Sequence, residues 1–181
     1  MEQVVALPPA DAAIAAPVTD DVITTALTAL VLVESEGARA TGFFSASDLV
    51  TTTATVIAHG KTASVTLPDG RRLDATIVAS ADSPRLARLR VNTSASTWLP
   101  VSPTRDYRSG EAVARLSWPQ MSARGVLKAM RRDNGVSVLD AGLQVHTDDD
   151  GDPVIDRTGR VLGVVAGGRT VSFDGAQPYF R

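Results

Sequence analysis

Residues 147–165 read Thr-Asp-Asp-Asp-Gly-Asp-Pro-Val-Ile-Asp-Arg-Thr-Gly-Arg-Val-Leu-Gly-Val-Val, and this stretch decides the fold. A polar tight loop, Thr147 to Asp152, leads into the apolar run Pro153-Val154-Ile155-Asp156. A Thr158-Gly159 turn then reverses the chain into a second apolar run, Val161 to Val165. Two short β-branched runs joined by a glycine turn form a hairpin. The four carboxylates crowded before it make that hairpin's entry the most highly charged loop of the chain.

Length and composition bound what surrounds this hairpin. At 181 residues the chain makes one domain or two small subdomains sharing an interface. A hydrophobic content of 44% with mean hydropathy near zero belongs to a globular chain with a real core. The net charge of -2 gives no reason to expect nucleic acid or an acidic membrane as partner. With no cysteine there are no disulfides, thiolate metal sites or cysteine nucleophiles. No basic-then-apolar leader opens the chain, and no run is long enough to span a bilayer. Residues 1–21 are rich in Ala, Pro and Val without periodicity, so we expect a linker or loosely docked arm. A chain that opens in this way is expected to be part of a longer one.

From residue 22 onward the reading is of short strands. Residues 22–34 form a run suited to a buried strand, with a helical turn over Asp21–Thr25, capped by Asp20 or Asp21, as the other option. Strands are expected at Ala38–Phe44, Leu49–Thr53, Ser64–Leu67, Arg72–Ala79 and Leu86–Val91. Pro68-Asp69-Gly70 marks a hairpin between two of them. Asn92 to Pro103 is turn-rich and splits the chain. Beyond it come Glu111–Leu116, Ala123–Met130 and, after Asn134-Gly135, Val136–Asp140. Many short strands and no long amphipathic helix indicate an all-β fold. Two groups of strands indicate a first barrel over about 22–92, a linker over about 92–105 and a second barrel over about 106–175.

The order of these pieces resembles the trypsin-like serine proteases, and most closely their HtrA (Deg) branch. Asp148 to Pro153 matches the nucleophile loop G-(N/D)-S-G-G-P, with Asp150 at the serine position and Gly151-Asp152 in place of Gly-Gly. Gly42-Phe43-Phe44 resembles the G-S-G-F strand, and Leu49–Ile57 the V-L-T-x-x-H-V-V segment. Val65–Arg71 resembles the V-x-L-x-D-G-R hairpin, Arg85–Val91 the D-L-A-V-L-K-V strand, and Gly110–Val113 the G-E-x-V entry to the second barrel. The resemblance runs over residues 27–173. It implies two antiparallel six-stranded β-barrels and a triad in the cleft between them.

The triad residues do not carry over. The histidine position falls on Thr55, the aspartate position on Arg85 and the serine position on Asp150. Acyl transfer needs a base, a carboxylate to orient it and an exposed hydroxyl to attack. Threonine is no base near neutral pH, arginine repels an imidazolium, and aspartate offers no comparable nucleophile. Asp148, Asp149, Asp150 and Asp152 also place negative charge where an oxyanion must be stabilised. The expectation is a pseudoprotease without a cofactor. It would act as a scaffold that binds a protein or peptide, an active HtrA-like protease being one such partner.

Other chemistry is weighed beside this. The acidic run with His146 offers carboxylate oxygens and one imidazole to a cation, so His146, Asp148, Asp149, Asp150 and Asp152 form a candidate metal set. Histidine-based metal binding is also known among magnetosome pseudoproteases of the HtrA class. The bland alternative is a hydrated acidic turn. His59, four residues after Thr55, is a second imidazole. An Arg85–Asp150 ion pair would fill the old triad cleft. Ser45, Ser47 and Thr51 to Thr53 read as turn and sheet residues. Arg124, Lys128, Arg131 and Arg132 read as a solvated face, since no aromatics interleave them. The family implies an extracytoplasmic setting with a tether elsewhere, and its usual PDZ module does not follow within the chain.

Overall fold

The computed structural model describes residues 2–57, 62–82, 85–101 and 106–173. Expectations that fall on His59, on residues 102–105 and beyond residue 173 therefore lie outside the described residues. The chain opens with strand β1 (Glu2–Val5), a single turn α1 (Ala12–Ala15) and helix α2 (Asp20–Leu27). Six strands follow: β2 (Leu30–Ser35), β3 (Ala38–Ala46), β4 (Leu49–Thr53), β5 (Ala63–Thr66), β6 (Arg72–Asp82) and β7 (Arg85–Val91). They close into a barrel in the order β2-β3-β4-β7-β6-β5, sealed where Leu32, Val33 and Glu34 pair with Thr66, Val65 and Ser64.

The second unit holds β8 (Ala112–Ser117), β9 (Met121–Val126), β10 (Ala129–Asp133), β11 (Val136–Asp140), β12 (Pro153–Asp156), β13 (Val161–Ala166) and β14 (Arg169–Ser172). Together with β1 they form an eight-stranded sheet ordered β1-β10-β11-β14-β13-β12-β8-β9. This is the two-barrel arrangement of the trypsin-like fold, except that the second unit has seven strands of its own where six were expected, and β1 is added to them. The opening arm is not loose along its whole length: Glu2 to Val5 pairs antiparallel with Asp133 to Met130 and extends the second sheet at its edge. Backbone pairing does not require the alternating side-chain pattern that the arm lacks.

Two local readings are corrected. Residues 22–34 are not one strand, and neither Asp20 nor Asp21 is the cap. Thr19 caps helix α2, its hydroxyl oxygen accepting the Val22 N–H at 3.3 Å. Ile23 and Ala26 are buried while Thr24 and Thr25 face solvent, which is helical spacing that a run of β-branched residues concealed. Ala123–Met130 likewise divides into β9 and β10, because the chain changes partner between them. Leu127 N–H donates to the Glu111 carbonyl (2.8 Å) and Lys128 N–H to that of Asp140 (2.7 Å).

The core comprises one cluster in each unit and a third shared between them. Val31, Val33, Phe44, Val50 and Leu89 fill the first barrel. Val113, Leu127, Leu139, Val154 and Leu162 fill the second. Between them, Phe43 and Leu86 of the first barrel pack with Leu116, Ile155 and Val164 of the second, under Ile23 and Ala26 of α2. The shared apolar contact holds the two units together and sets the walls of the cleft they flank.

The interbarrel cleft as candidate functional site

On the first-barrel side, β4 ends at Thr53 and runs into a short 3₁₀ turn, Ala54–Ile57, that leaves Thr55 exposed. The Thr53 hydroxyl lies 3.2 Å from Thr55 Oγ1 and 3.3 Å from the Arg85 carbonyl oxygen, and its oxygen accepts the Thr55 N–H at 3.3 Å. One buried hydroxyl thus ties Thr55 to the start of β7, where the Arg85 side chain is exposed.

On the second-barrel side, Thr147–Asp149 forms a single 3₁₀ turn. The chain after it is bracketed by backbone bonds: Thr41 N–H donates to the Asp150 carbonyl (3.1 Å), and Gly151 N–H to that of Val165 (2.8 Å). Gly151 has φ of +88°, and a β-carbon on it would stand 1.7 Å from the Thr41 oxygen. Only glycine fits there. This loop is therefore clamped between β3 of one barrel and β13 of the other.

The Asp150 carboxylate does not reach across the cleft. Its Oδ1 accepts the Gly167 N–H at 2.9 Å, in the Gly167-Gly168 turn that joins β13 to β14 with positive φ at both glycines. Burial pushes the Asp150 carboxyl above its usual range, against the bonds from the Gly167 and Gly168 N–H groups. The Asp150 N–H donates back to the Thr147 carbonyl at 3.3 Å, and the Asp149 N–H to that of His146 at 3.0 Å. The amide at the nucleophile position is thereby hydrogen-bonded within the turn.

Thr55, Arg85 and Asp150 nevertheless line one cleft of about 570 Å³, together with Asn134, Thr147 and Arg169. These are the three positions that the sequence reading assigned to the degenerate triad. The expected Arg85–Asp150 ion pair is corrected: among the described residues none joins them, because the glycine turn holds the carboxylate.

The acidic run is dispersed. Asp149 Oδ2 accepts the His146 N–H (2.8 Å) and lies 3.3 Å from Arg115 Nη1. Asp150 serves the glycine turn, Asp148 is exposed, and Asp152 points inward and is 1% exposed. Among the described residues no three His, Asp or Glu side chains are grouped to hold a metal ion. Addition of Ca²⁺, Mg²⁺, Zn²⁺, Cu²⁺ or Mn²⁺ is accordingly expected to leave the thermal midpoint where a chelator sets it. A cation at about 100 times its dissociation constant would add roughly 2.7 kcal/mol, so a specific rise would return these carboxylates to metal binding.

Sequence reasoning missed what Asp152 does. Its carboxylate accepts from the Ser117 hydroxyl of β8 through Oδ2, Arg115 Nε lies 3.5 Å from the same oxygen, and Oδ1 is buried without a hydrogen-bond partner among the described residues. Arg115 in turn donates from Nη1 to the Gln144 carbonyl at 2.6 Å, and the Trp118 N–H donates to Thr41 Oγ1 at 3.2 Å. Asp152 is thus the hub of a polar cluster linking the two barrels beneath the loop. The one available signal was its place at the second glycine of the G-G-P motif, where the chain is already buried.

The closed barrel, the second sheet and the cleft between them define a two-barrel peptidase architecture. The family model for the trypsin-like peptidase domain matches residues 40–164, and the chain belongs to that family. Among solved structures it is similar to Rv3671c from M. tuberculosis H37Rv, a serine-to-alanine mutant in an inactive form. That likeness has 23% identity and a TM-score of 0.67, over 96% of this chain and 93% of the other. A second structure, the Rv3671c protease in its inactive form, matches at 21% identity with a TM-score of 0.68, over 96% and 95% of the two chains. No curated protein matches the sequence.

Proposed function

We propose that this chain is a pseudoprotease of the HtrA-like branch, a trypsin-like domain without peptidase activity that serves as a protein-binding or scaffolding module. Its partner is a protein or peptide, and an active protease of the same family fits that role. The observation that supports this most directly is the occupancy of the cleft. Thr55, Arg85 and Asp150 meet there, and no base, orienting carboxylate or attacking hydroxyl stands among them in the required roles. The Asp150 bond to the Gly167 N–H adds to this, since it gives the residue at the serine position a structural task.

The test is turnover of fluorescent casein together with labelling by a fluorophosphonate that reacts with activated serines. Neither is expected, and Asp150→Ser alone should restore neither, because position 55 still lacks a base. Casein cleavage that disappears in Asp150→Ala would overturn the reading.

A further inference from the structure

We propose that a second groove, on the face formed by α2 and the interbarrel linker, binds an arginine side chain presented by a partner protein. The groove has a volume of about 310 Å³ and shares no lining residue with the triad cleft. Trp98 stands on its rim, 46% exposed, in a chain where aromatics make up only 4% of residues. A half-exposed tryptophan beside a concave surface is a common anchor for a partner's side chain.

The walls are fixed before any ligand arrives. Helix α2 is held by its Thr19 cap and by Ile23 and Ala26 in the shared core. The linker is held by two backbone bonds, Leu99 N–H to the Phe44 carbonyl and Val161 N–H to the Pro100 carbonyl, both 2.8 Å. The third wall is the Thr158-Gly159 turn. Asp156 Oδ1 pins it by accepting from Thr158 N–H (2.8 Å), Thr158 Oγ1 (2.6 Å) and Arg160 N–H (3.1 Å). A preformed wall removes much of the ordering entropy that binding must otherwise overcome.

Charge selects the occupant. Among the described residues, Asp21 is the one charged residue lining the groove, and it has no ion-pair partner there. The neighbouring Asp20 is already held by Arg124, while Arg157 and Arg160 flank the turn without lining the groove. The remaining lining is aliphatic or hydroxyl-bearing, with Val22, Thr25 and Pro100 beside the tryptophan. A long apolar stem that ends in a planar cation matches this set. Guanidinium stacks on an indole face while donating to a carboxylate, which the compact lysine ammonium does less well. The groove is at the small end of ligand pockets, with room for one long side chain and not for a packed helix.

The experiment is a tryptophan-fluorescence titration with a capped Ala-Arg-Ala peptide and its citrulline counterpart, a neutral isostere of arginine. The arginine peptide is expected to saturate only in the range of roughly tens of millimolar, as weak as one exposed cation–π contact with one carboxylate allows. The citrulline peptide, and Asp21→Asn with the arginine peptide, should each bind at least about five-fold more weakly. Trp98→Phe, at an exposed position where the fold survives, should abolish the signal. No saturable change, equal binding of citrulline, an unaffected Asp21→Asn or a signal that persists in Trp98→Phe would each overturn the proposal. It does not depend on the pseudoprotease reading, whose casein test is separate.

Discussion

Gly151→Ala is expected to destabilise the protein by roughly 3–5 kcal/mol, a large share of the stability of a domain this size. Two effects add. A side chain at φ of +88° is forced into the left-handed region, at about 1–2 kcal/mol. The new β-carbon would also stand 1.7 Å from the Thr41 oxygen, so the loop must lift away from β3. That movement breaks the Thr41 N–H bond to Asp150 and strains the Gly151 N–H bond to Val165, each worth about 1 kcal/mol. Gly70→Ala provides the control. Its φ is +89°, but nothing lies within 4 Å of the added carbon, so only the backbone effect remains. Urea midpoints of the two variants measure the difference. If Gly151→Ala lost no more than Gly70→Ala, the clamp between the barrels would not be the constraint described.

The second large effect is on pH. Burial pushes the Asp152 carboxyl from 3.8 up to about 7, against the Ser117 hydrogen bond, the neighbouring Thr41 hydroxyl and the charge of Arg115, while Asp149 pushes it further up. Between about pH 4 and pH 7 the folded protein therefore keeps a proton that the unfolded chain has released. Stability falls as pH rises through that window, by at most about 1.4 kcal/mol per unit from this group, and the whole penalty is present above pH 7. Its size is on the order of 2–4 kcal/mol. Asp152→Asn removes the titration while keeping the shape. It should be more stable than the wild type at pH 8, with the advantage shrinking steadily toward pH 4. Arg115 retains the Gln144 carbonyl and Asp149 as partners in that variant. Equal urea midpoints for the two proteins at pH 8, or a gap no smaller at pH 5 than at pH 8, would refute this account.

Much of this molecule was legible in its sequence, and the reasons are local. Pro68-Asp69-Gly70 forms its hairpin because its own atoms suffice: Arg71 N–H donates to Asp69 Oδ1 at 2.9 Å and Gly70 N–H to the Leu67 carbonyl at 2.9 Å. The barrel strands were legible because alternation and β-branching are written in neighbouring residues. The three cleft positions, Thr55, Arg85 and Asp150, were found through the order of motifs along the chain. What the sequence concealed depends on distant partners. The split of residues 22–34 into α2 and β2 turns on which face meets the shared core. The direction of the Asp150 carboxylate depends on a glycine turn that follows it, and the burial of Asp152 depends on Thr41 and Ser117, far away in the chain. A run of four aspartates looks uniform as text, yet its members face a turn, a guanidinium, the solvent and the interior.

The pairing of β1 with β10 also bears on the order in which the molecule can assemble. The first barrel closes entirely through contacts within residues 30–91, so it can form without any strand of the second unit. Glu2 to Val5 precedes that barrel in the chain, yet its partners, Met130 to Asp133, lie beyond the whole of it. A strand that waits this long closes the largest loop in the fold, and such non-local pairings form late. During that wait β1 is an unpaired edge, open to strand exchange with a second nascent copy. A strand that precedes both units in sequence is thus among the last to find its place.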